Sequence, residues 1–104
     1  MADGIEDKVR IKPLNGGNWQ NWKFIVERLL KSKDLWKAVT EGRPVDGNEA
    51  DLERYSEKNR KAFDELSLRI EEEFFYIVRP FSEQDDGFGA WQALCKHFER
   101  MLRP

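Results

Sequence analysis

The stretch NGGNWQNWKFIVERLLKS, residues 15–32, decides the fold class. On a wheel at about 100° per residue, Trp19, Trp22, Ile25, Val26, Leu29 and Leu30 gather on one face spanning about 140°. That spacing is helical, since a strand would alternate its apolar residues. Gly16 and Gly17 favour a turn ahead of it. Asn18 stands where a side chain can cap the helix by accepting a hydrogen bond from a first-turn backbone N–H. Trp19 and Trp22 read as core rings, each burying roughly 150 to 250 Å². Phe24 falls far outside their face, and the core of the domain does not require it.

Working outward, residues 1–17 read as an extended arm ending in the glycine turn, and residues 18–104 as a single helical domain. Asp34 is expected to cap a short second helix, LWKAV, which stops at the turn EGRPVDGN. A third helix is expected to start near Asn48 to Ala50. Along it Leu52, Tyr55, Asn59, Ala62, Phe63, Leu66 and Ile70 form one stripe for about five turns. Glu57 with Lys61 and Glu65 with Arg69 are spaced for i to i+4 pairing. Leu68 leaves the stripe. Glu71, Glu72 and Glu73 suit the first turn of a fourth helix, where negative charge meets the positive end of the dipole, and Pro80 is expected to end it. Over residues 88–103, Trp91, Leu94, Cys95, Phe98, Met101 and Leu102 share a face. The expected architecture is all-α, a compact bundle of four to five helices.

Composition narrows the function. The 104 residues make one domain, long enough to close a core without disulfides or a metal. Net charge is -2, with acids and bases interspersed, which argues against an autonomous nucleic-acid binder. The single cysteine, Cys95, excludes an internal disulfide and suits a reducing compartment. No apolar run is long enough to span a bilayer, and the amino terminus MADGIEDKVR does not resemble a secretory signal. A cytoplasmic protein is expected.

Candidate chemistry is sparse. Cys95 and His97, two apart on a helix, point roughly 200° away from each other and form neither a catalytic pair nor a chelate. There is no zinc knuckle. DGNEADLERYSE departs from a calcium loop, because its fifth position is Ala50 and its glycine comes too early. NGGNW lacks the Gly-Lys-Ser/Thr of a phosphate loop. Asp85 and Asp86 sit where helix caps belong. A binding or structural role is expected rather than an enzyme, with no catalytic residue, metal, cofactor or small-molecule substrate.

From Leu14 to Val39, LNGGNWQNWKFIVERLLKSKDLWKAV resembles the amino-terminal part of the Gag polyprotein of Ty1/copia-type retrotransposons. Leu14, Gly16, Asn18, Trp19, Trp22, Leu29, Leu30, Leu35, Trp36 and Val39 carry the likeness. It continues through KNRKAFDELSLRIEEEFFYIVRP and through GAWQALCKHFER, where Trp91 and Leu94 belong to an Ala-Trp-x-x-Leu closing helix. The resemblance implies a lobe like the amino-terminal one of a retroviral capsid, assembling with copies of itself into a virus-like particle around RNA. The second helical lobe, zinc knuckle and basic tail that would complete such a protein do not occur within these residues. Both a lobe of a longer Gag and a shortened, host-domesticated adaptor that forms no shell are consistent with this.

Phe24 and Leu68, the off-stripe apolar residues, are the candidate self-assembly contacts. Lys31, Lys33 and Lys37 flank the first two helices, with Lys96, Arg100 and Arg103 near the end. Solvated helix surface accounts for these charges, and Lys31, Lys33 and Lys37 are the candidates for weak RNA contact.

Overall fold

A computed structural model describes residues 11–101. Five α-helices follow one another: α1 Trp19–Ser32, α2 Trp36–Thr40, α3 Glu49–Ser67, the single turn α4 Phe75–Val78, and α5 Gly87–Met101. Short 3-10 turns, Glu72–Phe74 and Arg79–Phe81, flank α4. The described residues contain no strand, only one isolated parallel bridge between Leu14 and Ile70. The chain is an all-α bundle. Residues 1–10 of the expected arm, Leu102, Arg103 and the side chain of Met101 lie outside what is described.

The helix starts and stops have identifiable causes. At α3, the Asn48 side chain accepts from the Asp51 N–H at 2.8 Å while the Asp51 carboxylate accepts from the Asn48 N–H at 3.4 Å, a reciprocal capping box. The helix ends as Arg69 donates to Leu66 O at 3.1 Å, after which the backbone pairs with the arm. Leu14 donates to Arg69 O at 2.9 Å, and Glu71 donates back to Leu14 O at 3.0 Å. Ile70 is buried as expected, but it reaches the core through this bridge rather than as a helical residue.

Two expected boundary roles need correction. Asn18 makes no capping bond to α1. Its amide instead ties the preceding turn, accepting from the Asn15 N–H at 2.9 Å and donating to Pro13 O at 3.1 Å, because the turn's own backbone groups lie within its reach. Asp34 does not cap α2 either. It adopts a left-handed conformation (φ 61°) just past the end of α1. There Asp34 N–H bonds Lys31 O at 3.1 Å and Leu35 N–H bonds Leu30 O at 2.8 Å, the pattern of a Schellman C-cap, with buried Leu30 and Leu35 as its apolar partners. Pro80 follows the end of the fourth helix as expected, since α4 stops at Val78 and its C-cap Arg79 immediately precedes the proline. It lies inside the 3-10 turn Arg79–Phe81, near whose start the lack of an N–H does no harm. The fourth helix itself starts later than expected, at Phe75, with Glu72 and Glu73 in the preceding 3-10 turn and Glu71 extended before it.

The core runs through every layer. Leu14, Trp19, Trp22, Val26, Leu30, Leu35, Val39, Ala62, Phe63, Leu66, Ile70, Ile77, Val78, Ala90, Trp91, Leu94 and Phe98 form one contiguous buried cluster. α5 comes close to α3 at Gly87, where an added Cβ would lie 2.6 Å from Asn59 O and 2.8 Å from Phe63 N. The same junction caps α5. Asp86 Oδ1 accepts from Gly89 N–H at 3.1 Å, and Asn59 Oδ1, contributed by α3, accepts from Phe88 N–H at 2.7 Å. Asn59 Nδ2 then donates to Asp86 Oδ1 at 3.0 Å, so one pair of side chains joins the cap to the neighbouring helix.

Candidate functional site

The tryptophans settle first. Trp19 stacks on Trp22 (ring centroids 5.7 Å apart) and on Phe98 (5.1 Å). Trp91, delivered by α5, lies 6.2 Å from Trp19 and 6.3 Å from Trp22. Trp36, from α2, meets Trp91 edge-on at 5.4 Å. Trp19, Trp22 and Trp91 are buried, while Trp36 is half-buried, with the Lys31 ammonium 5.7 Å from its ring centroid. This is the packed interior of the bundle.

The motif residues converge on that interior. Leu14, Leu29, Leu35 and Leu94 are all buried. Gly16 has φ +90° and passes so close to Phe74 that a Cβ would meet its ring at 2.9 Å, so the turn needs glycine for both reasons. The Trp22 indole N–H donates to Arg69 O at 2.8 Å, the same carbonyl that accepts the Leu14 N–H. The Trp19 indole N–H is buried and lacks a hydrogen-bond partner.

Among the surface candidates, Phe24 is 66% exposed and Leu68 79% exposed. Phe24 stands in mid-α1, with Gln20, Asn21 and Arg28 exposed along the same side. Leu68 follows the last turn of α3. Two further exposed apolar side chains, Val45 and Tyr76, were not legible from the sequence. Val45 sits in the Pro- and Gly-bounded turn. Tyr76 lies in a segment that mixes 3-10 and α turns, which has no single period to fix its phase.

The three lysines differ in setting. Lys31 pairs with Glu27 at 2.9 Å. Lys33 pairs with Glu65 at 2.9 Å in a setting where both side chains are about four-fifths covered, and Arg69 reaches the same carboxylate at 2.8 Å. Burial in an ion pair argues against Lys33 as a contact for RNA. Lys37 is exposed.

The remaining polar candidates take structural places. Cys95 is half-buried, and burial pushes its thiol up to about 11. His97 packs edge-on against Phe98 at 4.7 Å and Tyr76 at 6.1 Å. No group of three metal-ligating side chains occurs among the described residues. No described helix is long and apolar enough to cross a membrane. Comparison of the chain with protein-family models, with curated proteins and with solved structures finds no match.

Proposed function

We propose that this chain is a non-enzymatic capsid-type domain of Ty1/copia Gag character, which self-associates in the cytoplasm to help build a particle around RNA. The observation that carries the reading is the division of α1 into two apolar faces. Trp19, Trp22, Val26, Leu29 and Leu30 are buried, while Phe24 is exposed on a helix they hold rigid. An aromatic ring presented on a fixed scaffold, rimmed by polar residues, has the composition of an interface anchor. Contacts of this kind between unlike surfaces propagate into rings and lattices. That the motif residues Leu14, Gly16, Trp19, Trp22, Leu35, Trp36, Trp91 and Leu94 act together around one core supports the capsid-lobe reading, since a module of a shell must hold its shape while its surface varies.

In this reading RNA is enclosed, with at most weak contact through exposed cations such as Lys31 and Lys37. The test is sedimentation and negative-stain electron microscopy of the purified chain at high concentration and high salt. Shells or sheets are expected, and Phe24→Asp is expected to abolish them while leaving the helical circular dichroism unchanged. A persistent monomer that instead captures a cellular protein would overturn the proposal in favour of a domesticated adaptor.

A further inference from the structure

On the side of the bundle formed by α4 and α5, Lys96, His97 and Arg100 surround a groove of about 390 Å³ floored by Ile77 and Ala93. Lys96 and Arg100 are exposed and have no ion pair among the described residues, whereas Glu99 of the same helix is engaged by Lys23. Tyr76 stands at the edge of this groove, 59% exposed and edge-on to His97. One turn before Tyr76, Glu71, Glu72 and Glu73 are all exposed, line a second surface depression with Pro13 and Ile70, and are likewise unpaired among the described residues. The surface therefore changes from three carboxylates, across one aromatic ring, to three bases.

Such a patch is complementary to itself. A two-fold axis passing near Tyr76 would bring the carboxylates of one copy towards Lys96 and Arg100 of the other, and would do so twice, which is the reciprocity an isologous contact requires. Tyr76 then lies at the centre of the contact, where aromatic side chains contribute most, and the charges form its rim. We propose that this α4/α5 face is a homodimer interface whose occupant is a second copy of the chain. The inference rests on the reading of the protein as self-associating, but it uses a different surface from Phe24. The charged rim governs encounter and register, so the association weakens as salt screens it.

The experiment is sedimentation velocity on the whole chain over a concentration series at low and at high salt, with circular dichroism to confirm folding. The wild-type protein is expected to dimerise at low salt, and more weakly at high salt. Glu72→Lys/Glu73→Lys and Lys96→Glu/Arg100→Glu, all at exposed positions, are each expected to lose the salt-sensitive dimer when alone. An equimolar mixture of the two is expected to recover the dimer, because the substituted side chains then face opposite charges across the contact.

Variants that dimerise like the wild type, or a mixture that stays monomeric, would overturn the proposal. Association abolished by Phe24→Asp but untouched by both charge variants would overturn this interface and leave the broader self-association reading intact. A wild-type chain that is monomeric throughout would overturn both. A monomer that binds a labelled oligouridine through Lys96 and Arg100 would assign the groove to nucleic acid instead.

Discussion

The indole N–H of Trp22 donates to the backbone carbonyl of Arg69 at 2.8 Å, and the same oxygen accepts the N–H of Leu14 at 2.9 Å. One carbonyl thus joins the arm, the first helix and the end of the third. Trp22→Ala removes both the ring and this bond and is expected to destabilise the domain by about 3 to 5 kcal/mol, enough to unfold it or leave it molten. Trp22→Phe keeps most of the packing, and Leu14 still satisfies the carbonyl. It is expected to lose about 1 to 2 kcal/mol, chiefly the bond and part of the ring. Urea unfolding followed by circular dichroism measures both, and an unchanged midpoint for Trp22→Ala would remove Trp22 from the core.

Gly87 sets the spacing of α3 and α5. A methyl group there would press on Asn59 O and Phe63 N, both backbone atoms that cannot turn aside. Gly87→Ala is therefore expected to destabilise by about 1 to 3 kcal/mol, although alanine is the better helix former. A rise in melting temperature would show that the two helices can separate without penalty.

Asp34 occupies a left-handed position that glycine adopts without strain. Asp34→Gly is expected to raise the melting temperature even though it removes the exposed pairing with Lys58. That pairing carries a pH signature. The hydrogen bond from Lys58, and then its charge, hold the Asp34 carboxyl below the ordinary 3.8. A depressed folded value contributes stability that is present above about pH 3.8 and is lost as the pH falls through the lower folded value. Asp34→Asn is expected to flatten that acid limb, and an identical acid profile for variant and wild type would contradict the pairing.

Burial raises the Cys95 thiol from 9.0 to about 11. Near pH 8 its thiolate fraction is then about 100-fold below that of an unperturbed cysteine, so alkylation by iodoacetamide is expected to be correspondingly slow in the native protein and fast in urea. The sign for stability is the reverse of the Asp34 case. A raised folded value gives a contribution that is complete below pH 9 and declines as the pH rises towards 11. Rapid native alkylation would place the thiol at the surface.

The long elements were legible because α1, α3 and α5 each carry several turns of apolar spacing, and period alone determines which side chains go inside. Phe24 and Leu68 read as lying off the core stripe on the same ground, and both are exposed. What could not be read were side chains whose partners come from elsewhere in the chain. Asp34 looks like a cap until Lys58 is brought alongside it, and Lys33 looks like a free cation until Glu65 and Arg69 close around it. Asn18 was misassigned over a shorter range, since the Asn15 N–H takes the side-chain oxygen that would otherwise cap the helix. The acidic, aromatic and basic strip through Tyr76 joins α5 to a segment with no regular period, so only the tertiary fold assembles it.

The pairing of Leu14 with Arg69 also orders events in time. Leu14 leaves the ribosome before α1 to α5, yet the carbonyl it needs does not exist until α3 has been synthesised and has stopped. Closing so long a loop loses chain entropy that local helix formation does not. The arm is therefore expected to dock after α1 to α3 have come together and to detach before they separate. In native-state hydrogen exchange, the amide of Leu14 should open at lower free energy than the amides of Val26 or Leu66.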